Sequence, residues 1–138
     1  MVVHQLSVFV ENRAGRLYEI TDILARNNID IRAVSLSDTV EFGILRLIVS
    51  NPQLAEKVLK EEHFAVSITE VLAVKVTDTP GGLRTVLKLL SEKDISVEYV
   101  YAFISKSEDA SVILYVKDVS RAAEVLTGAG VRLLNEVY

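Results

Sequence analysis

Two short stretches of this chain carry residue types that could hold an anion: Asn12-Arg13-Ala14-Gly15-Arg16-Leu17 and Asp78-Thr79-Pro80-Gly81-Gly82-Leu83. Each lies where a β-like run gives way to an apolar pattern of helical period. Pro80 has φ near the helical value and no amide hydrogen, so it reads as the first residue of a helix capped by Thr79 or Asp78. Gly81 and Gly82 are poor helix formers, each costing up to about 1 kcal/mol relative to alanine, so their presence asks for a reason. One reason is a ligand. Free backbone N–H groups, the positive end of a helix dipole and the missing Cβ would seat a small carboxylate or phosphate. The other is a tight strand-to-helix turn with no ligand. Around the first stretch Arg13 and Arg16 add positive charge, whereas the second offers a bare glycine pair beside Asp78 and Arg84.

Other constellations carry less chemistry. His4 and His63 are the only histidines, they are far apart in sequence, and no acidic motif accompanies them, so they form neither a metal nor a triad pattern and read as surface residues. Glu61-Glu62 and Glu108-Asp109 are adjacent carboxylates that diverge on a helix or sit in turns, which is solvated charge and not an acid/base pair. The absence of cysteine excludes disulfides and thiolate chemistry and suits a reducing compartment. Tyr99, Tyr101 and Phe103 alternate along one strand, as on an RNA-binding sheet, but the run 44–49 that would have to carry the companion aromatics has none, and Tyr115 stands alone. Core packing or an interface explains the stripe better. With 15 Lys plus Arg against 19 Asp plus Glu the chain is mildly acidic, which disfavours nucleic acid. The start Met1-Val2-Val3-His4-Gln5 resembles no export signal, and no apolar run reaches the ~18 residues of a membrane span. A cytoplasmic protein is expected, with no membrane and no cofactor.

The elements that position the two stretches repeat. Laid on itself at an offset of 66 residues, the chain sets Gly15 on Gly81, Leu17 on Leu83, Ile20 on Val86, Ile23-Leu24 on Leu89-Leu90 and Ile31 on Val97; at 67, Leu47 meets Leu114, Asn51 meets Asp118 and Val58-Leu59 meets Val125-Leu126. Whole periodic elements align, which marks a tandem repeat. Period-2 and period-3.6 patterns predict strands over 5–10, 29–36, 44–49 and 65–71 with helices over 16–27 and 52–62. The second set is strands over 72–77, 95–103, 110–117 and 131–137 with helices over 82–93 and 119–127. Asn51 with Pro52 and Asp118 read as helix starts, residues 37–43 as a polar turn, and Gly128 as a left-handed helix end. The fold class is therefore α+β, two βαββαβ units of the ferredoxin-like class in tandem, 1–71 and 72–138, each with strand order 4-1-3-2 and both helices on one face. No Gly, Pro or flexible linker separates them at Val71-Leu72, so a rigid pair is expected.

Units of this order that open with Asn12-Arg13-Ala14-Gly15-Arg16-Leu17 and Asp78-Thr79-Pro80-Gly81-Gly82-Leu83 resemble ACT domains. The second unit matches the family motif of Asn or Asp, a variable residue, Pro-Gly and an aliphatic residue; the first has Ala14 for the proline. The resemblance covers essentially the whole chain and implies a free-standing, non-catalytic tandem regulatory protein, a homodimer serving a metabolic enzyme. It implies an amino acid or small carboxylate ligand held where two units meet. The carboxylate would rest on Ala14-Gly15 or Thr79-Pro80-Gly81-Gly82, with Arg13 and Arg16 beside the first loop. Asn12 or Asp78 would orient a polar group, and a neighbouring second strand would add Tyr99 and Tyr101. If one loop alone is occupied, the second is favoured. Two other readings stay open: an acylphosphatase-like enzyme using Arg13 and Arg16, and a subunit whose ligand site has decayed to a protein interface.

Overall fold

A computed structural model describes residues 2–38, 42–104 and 110–137; part of the polar turn expected over 37–43, and the Glu108-Asp109 pair, lie outside them. The chain divides into two compact units, 4–69 and 70–138 together with 1–3. The first contains β1 (Val3–Glu11) from His4 on, α1 (Arg16–Arg26), β2 (Ile31–Asp38), β3 (Phe42–Val49), α2 (Pro52–Glu61) and the beginning of β4 (Val66–Val76). The second contains the rest of β4, then α3 (Gly82–Glu92), β5 (Tyr99–Ile104), β6 (Ala110–Tyr115), α4 (Val119–Gly128) and β7 (Leu133–Leu134). The first unit has the strand order β4-β1-β3-β2 and the second β7-β4-β6-β5. Both are the 4-1-3-2 order of the ferredoxin-like class.

Period-2 alternation decides which face is covered. In the first unit Leu6, Val8 and Val10 of β1 and Leu45, Leu47 and Val49 of β3 form one cluster with Ile20, Ile23 and Leu24 of α1 and Ala55, Val58 and Leu59 of α2. The second unit repeats it: Leu72, Val74 and Val76 of β4 and Val112 and Leu114 of β6 pack with Val86 and Leu90 of α3 and Ala122 and Leu126 of α4. Burying each such side chain stabilises the fold by about 1.5–3 kcal/mol. Both helices of each unit thus lie on one face.

The helix signals resolve into two start types and one stop. Asn51 accepts a hydrogen bond from the Leu54 amide at 3.2 Å with Pro52 behind it, and Asp118 accepts one from the Arg121 amide at 3.1 Å, so α2 and α4 start on side-chain caps as expected. The four helices among the described residues end in the same left-handed closure, at Asn28 (φ 57°), His63 (φ 69°), Asp94 (φ 57°) and Gly130 (φ 82°). After each, an apolar residue turns its amide back to a carbonyl five residues earlier: Ile29 to Leu24, Phe64 to Leu59, Ile95 to Leu90 and Val131 to Leu126. The left-handed glycine after α4 is therefore Gly130, not Gly128, which is the last helical residue. The closure also shortens three strands. With the amides of Ile29, Ile95 and Val131 committed to the helix ends, β2, β5 and β7 begin at Ile31, Tyr99 and Leu133, later than the sequence pattern suggests.

Candidate functional site

The two stretches that open α1 and α3 have one backbone. In each, the amide of the fourth residue donates to the carbonyl of the first, Arg16 to Arg13 at 3.3 Å and Gly82 to Thr79 at 3.0 Å. The third residue is a left-handed glycine, Gly15 (φ 88°, ψ −13°) and Gly81 (φ 90°, ψ 0°). These are type II turns, which ask for a φ near −60° in second place and a positive φ in third. Pro80 therefore occupies the second turn position, which Ala14 takes upstream, and is not the first helical residue. Neither Thr79 nor Asp78 caps α3; the left-handed glycine itself stands at the cap position of both helices, with no side-chain cap. Gly82 has a separate cause. A Cβ there would overlap the Thr77 carbonyl oxygen and come within 2.8 Å of the Thr77 Oγ1. Both glycines thus follow from the backbone geometry, because neither lies in a helix interior where the propensity penalty would apply.

Around the first turn the structure separates residues that the sequence lists side by side. Asn12 and Arg13 line a hollow of about 120 Å3 together with Leu17 of α1 and Leu36 and Asp38 of β2. Leu17 and Leu36 are exposed apolar side chains, 39% and 53% accessible. Arg16 faces elsewhere. Its guanidinium carbon stands 4.4 Å over the centre of the Phe64 ring and its Nη1 donates to Glu19 Oε2 at 2.7 Å, with 16% of the side chain accessible. It lines a different hollow, with Phe64 and His63. Arg13 and Arg16 consequently do not converge on one anion, as an acylphosphatase-like cradle would need. Ala14 and Gly15 are exposed at the turn.

In the second unit Gly82 is buried and lines a cleft of about 510 Å3 with Thr77, Thr85 and Val131, whereas Asp78, Thr79, Pro80 and Gly81 are exposed and do not line it. Tyr99 and Tyr101 lie apart from this turn. Across β6 they pair with Tyr115 and Ile113, while Val100 between them pairs with Leu114 of the helix-side core, so the two tyrosines face away from α3 and α4. Tyr115, the one aromatic residue of β6, stacks its ring on Tyr99 with centres 5.1 Å apart, and Tyr99 stacks on Tyr101 at 6.4 Å. His4 and His63 are exposed, and His63 is a left-handed helix-end residue. Among the described residues no group of three or more His, Cys, Asp or Glu side chains is placed to hold a metal, and no helix is long and apolar enough to cross a membrane. Asp38 and Thr85 are lining residues that the sequence alone did not point to. Their signal was positional, since the turns had to face the end of a second strand and the end of a helix.

Comparison with known proteins agrees with this architecture. The family model for an ACT domain pair matches residues 1–137. A crystal structure of a Bacteroides thetaiotaomicron protein superposes with a TM-score of 0.91 at 42% identity, covering 97% of this chain and 92% of that one. The ligand-free regulatory subunit of aspartate kinase from Thermus thermophilus superposes with a TM-score of 0.66 at 14% identity, covering 91% of each chain. Aspartokinase III of E. coli, in complex with lysine and aspartate, shares the fold at a TM-score of 0.55 and 18% identity over 93% of this chain and 31% of that one. No curated protein matches the sequence.

Proposed function

The chain belongs to the ACT domain family, as a domain pair, and on that premise we propose that it is a non-catalytic regulatory protein that binds an amino acid or a related small carboxylate. The observation that carries this reading is the hollow at the first turn, lined by Asn12, Arg13 and the carboxylates Glu11 and Asp38 together with Leu17 and Leu36. A zwitterion matches that layout. Its carboxylate meets the Arg13 guanidinium and its ammonium meets the Asp38 carboxylate, charge-assisted bonds at opposite ends. A short apolar tail covers Leu17 and Leu36, which gives two exposed leucines a partner. The first turn is thereby favoured over the second, because Asn12 and Arg13 line a hollow that a β2 residue completes. The turns 12–16 and 78–82, with Tyr99 and Tyr101, remain the surface for a second copy in a homodimer whose ligand state is read by a metabolic enzyme in the cytoplasm. Aspartokinase III holding lysine and aspartate illustrates a protein of this fold combining amino acids with an enzyme.

Arg13→Ala tests the assignment. Arg13 is exposed, so its removal should change the folding stability by no more than about 0.5 kcal/mol. Titration calorimetry with the amino acid selected by screening should show affinity lower by about tenfold, the loss expected for one charge-assisted bond of about 1.5 kcal/mol. Unchanged affinity would remove this hollow from the site. Hydrolysis of an acyl phosphate that disappears in the same variant would replace the reading by the acylphosphatase-like one.

A further inference from the structure

β2 is the end strand of the first unit's sheet, and among the described residues β3 is its only strand neighbour. Its outer edge presents backbone N–H and C=O groups in a row, which is a template for a further strand. Proteins commonly blunt such an edge with charge, proline or a bulge. Here the middle of the edge, Ala33-Val34-Ser35-Leu36-Ser37, carries neither charge nor proline, and the bulge lies before it, between Ile31 and Ala33. Val34 and Leu36 stand opposite Leu47 and Leu45 of the core, hence on the helix-bearing face, yet they are 55% and 53% accessible. The helices cover the inner strands and leave these two side chains in water.

We propose that two copies of the chain join through this edge, β2 antiparallel to β2, with Ser35 on the twofold axis. The strand's own sequence decides both the occupant and the register. In an antiparallel pair, residues directly opposite each other share a face, so a twofold axis across the edge must set one residue opposite itself. With the axis at Val34, Asp30 would meet Asp38 of the partner subunit and Arg32 would meet Leu36 of the partner subunit. With the axis at Leu36, Val34 would meet the partner's Asp38. At Ser35, Val34 meets the partner's Leu36 and Arg32 meets the partner's Asp38, and symmetry forms each pair twice. Of the three registers this one alone sets apolar against apolar and cation against anion. The regular part of the strand agrees, because Ala33 to Ser37 is centred on Ser35 and lies clear of the bulge. Arg32 keeps its ion pair with Asp30 at 3.8 Å, since a guanidinium has five N–H donors and serves two carboxylates at once. Asp38 also lines the hollow at the first turn, so the partner's Arg32 stands at the rim of that hollow. The pairing itself needs no ligand, and it stands or falls apart from the reading given above.

The test is sedimentation velocity of the full chain, without ligand, over a wide range of concentration, with circular dichroism to establish that each variant is folded. A reversible dimer is expected. Val34→Lys, at an exposed position in the middle of the edge, should weaken it by about tenfold, because symmetry removes two cross-strand pairs. Arg32→Asp and Asp38→Arg should each weaken it as well, and an equal mixture of these two variants should dimerise again, since every charged pair of the mixed dimer is once more of opposite sign. Val34→Lys keeps the test decisive if Arg32→Asp does not fold. A chain that stays monomeric at every concentration, or a dimer that Val34→Lys leaves intact, overturns the edge. Charge variants that dimerise as well as the parent, or a mixture that does not recover, overturn the register.

Discussion

Replacing Gly82 with alanine is expected to cost the second unit about 3 kcal/mol, far more than the single added carbon suggests. The new Cβ would overlap the Thr77 carbonyl oxygen at the end of β4, and neither partner is the free end of a side chain. Strand and helix must separate, which opens the core where Val76 and Val86 meet. Gly81 differs in kind. A Cβ there meets nothing within 4 Å, but the residue sits at φ 90°, so alanine costs about 1–2 kcal/mol through backbone strain, and the β-branched valine costs more. Gly128, helical and with nothing within 4 Å, should gain slightly from the same change. Urea unfolding of the three alanine variants should therefore rank them Gly82 lowest, Gly81 next and Gly128 at or above the parent. A Gly82 variant as stable as the parent would mean that β4 and α3 do not approach as described.

Leu24→Ala should destabilise the first unit by about 2–5 kcal/mol, a large part of the 5–15 kcal/mol that a domain commonly has in total. Leu24 is 0% accessible and sits in the cluster that joins β1, β3, α1 and α2. Its carbonyl also receives the amides of Asn27 and Ile29, but these bonds belong to the backbone and survive the substitution. The loss is therefore one of packing, and Leu24→Met, which nearly conserves volume, should cost less than about 1.5 kcal/mol. Denaturant melts followed by circular dichroism measure both. Equal losses from alanine and methionine would contradict the packing described.

The fold was legible because its signals were redundant. Period-2 runs, period-3.6 runs and a self-alignment pointed to the same two units, and Asn51 and Asp118 cap where their types predict. Misreadings came from interactions that residue type alone does not encode. Pro80 suits a first helical position and the second position of a type II turn equally, since both need the same φ; Gly81 at φ 90° decides for the turn. Ile29, Ile95 and Val131 look like strand residues, yet their amides close helices. Gly128 and Gly130 compete for one role, and only the count from the last helical hydrogen bond separates them. The hollows beside the turns draw residues from several elements. Arg13 and Arg16 are three residues apart and face different hollows, one toward β2 and one toward Phe64.

The central claim is that this ACT domain pair is a receptor for a small amino or carboxylic acid. A thermal-shift screen of the full chain against the twenty amino acids and a set of aliphatic and aromatic acids tests it most directly. Binding to the folded state alone adds about 2.7 kcal/mol of stability at a ligand concentration 100 times the dissociation constant. The account predicts that one or a few structurally related compounds raise the melting temperature in a saturable way, and that Arg13→Ala removes part of the rise. A screen in which no compound shifts the melting temperature, in a protein that unfolds cooperatively, would contradict it.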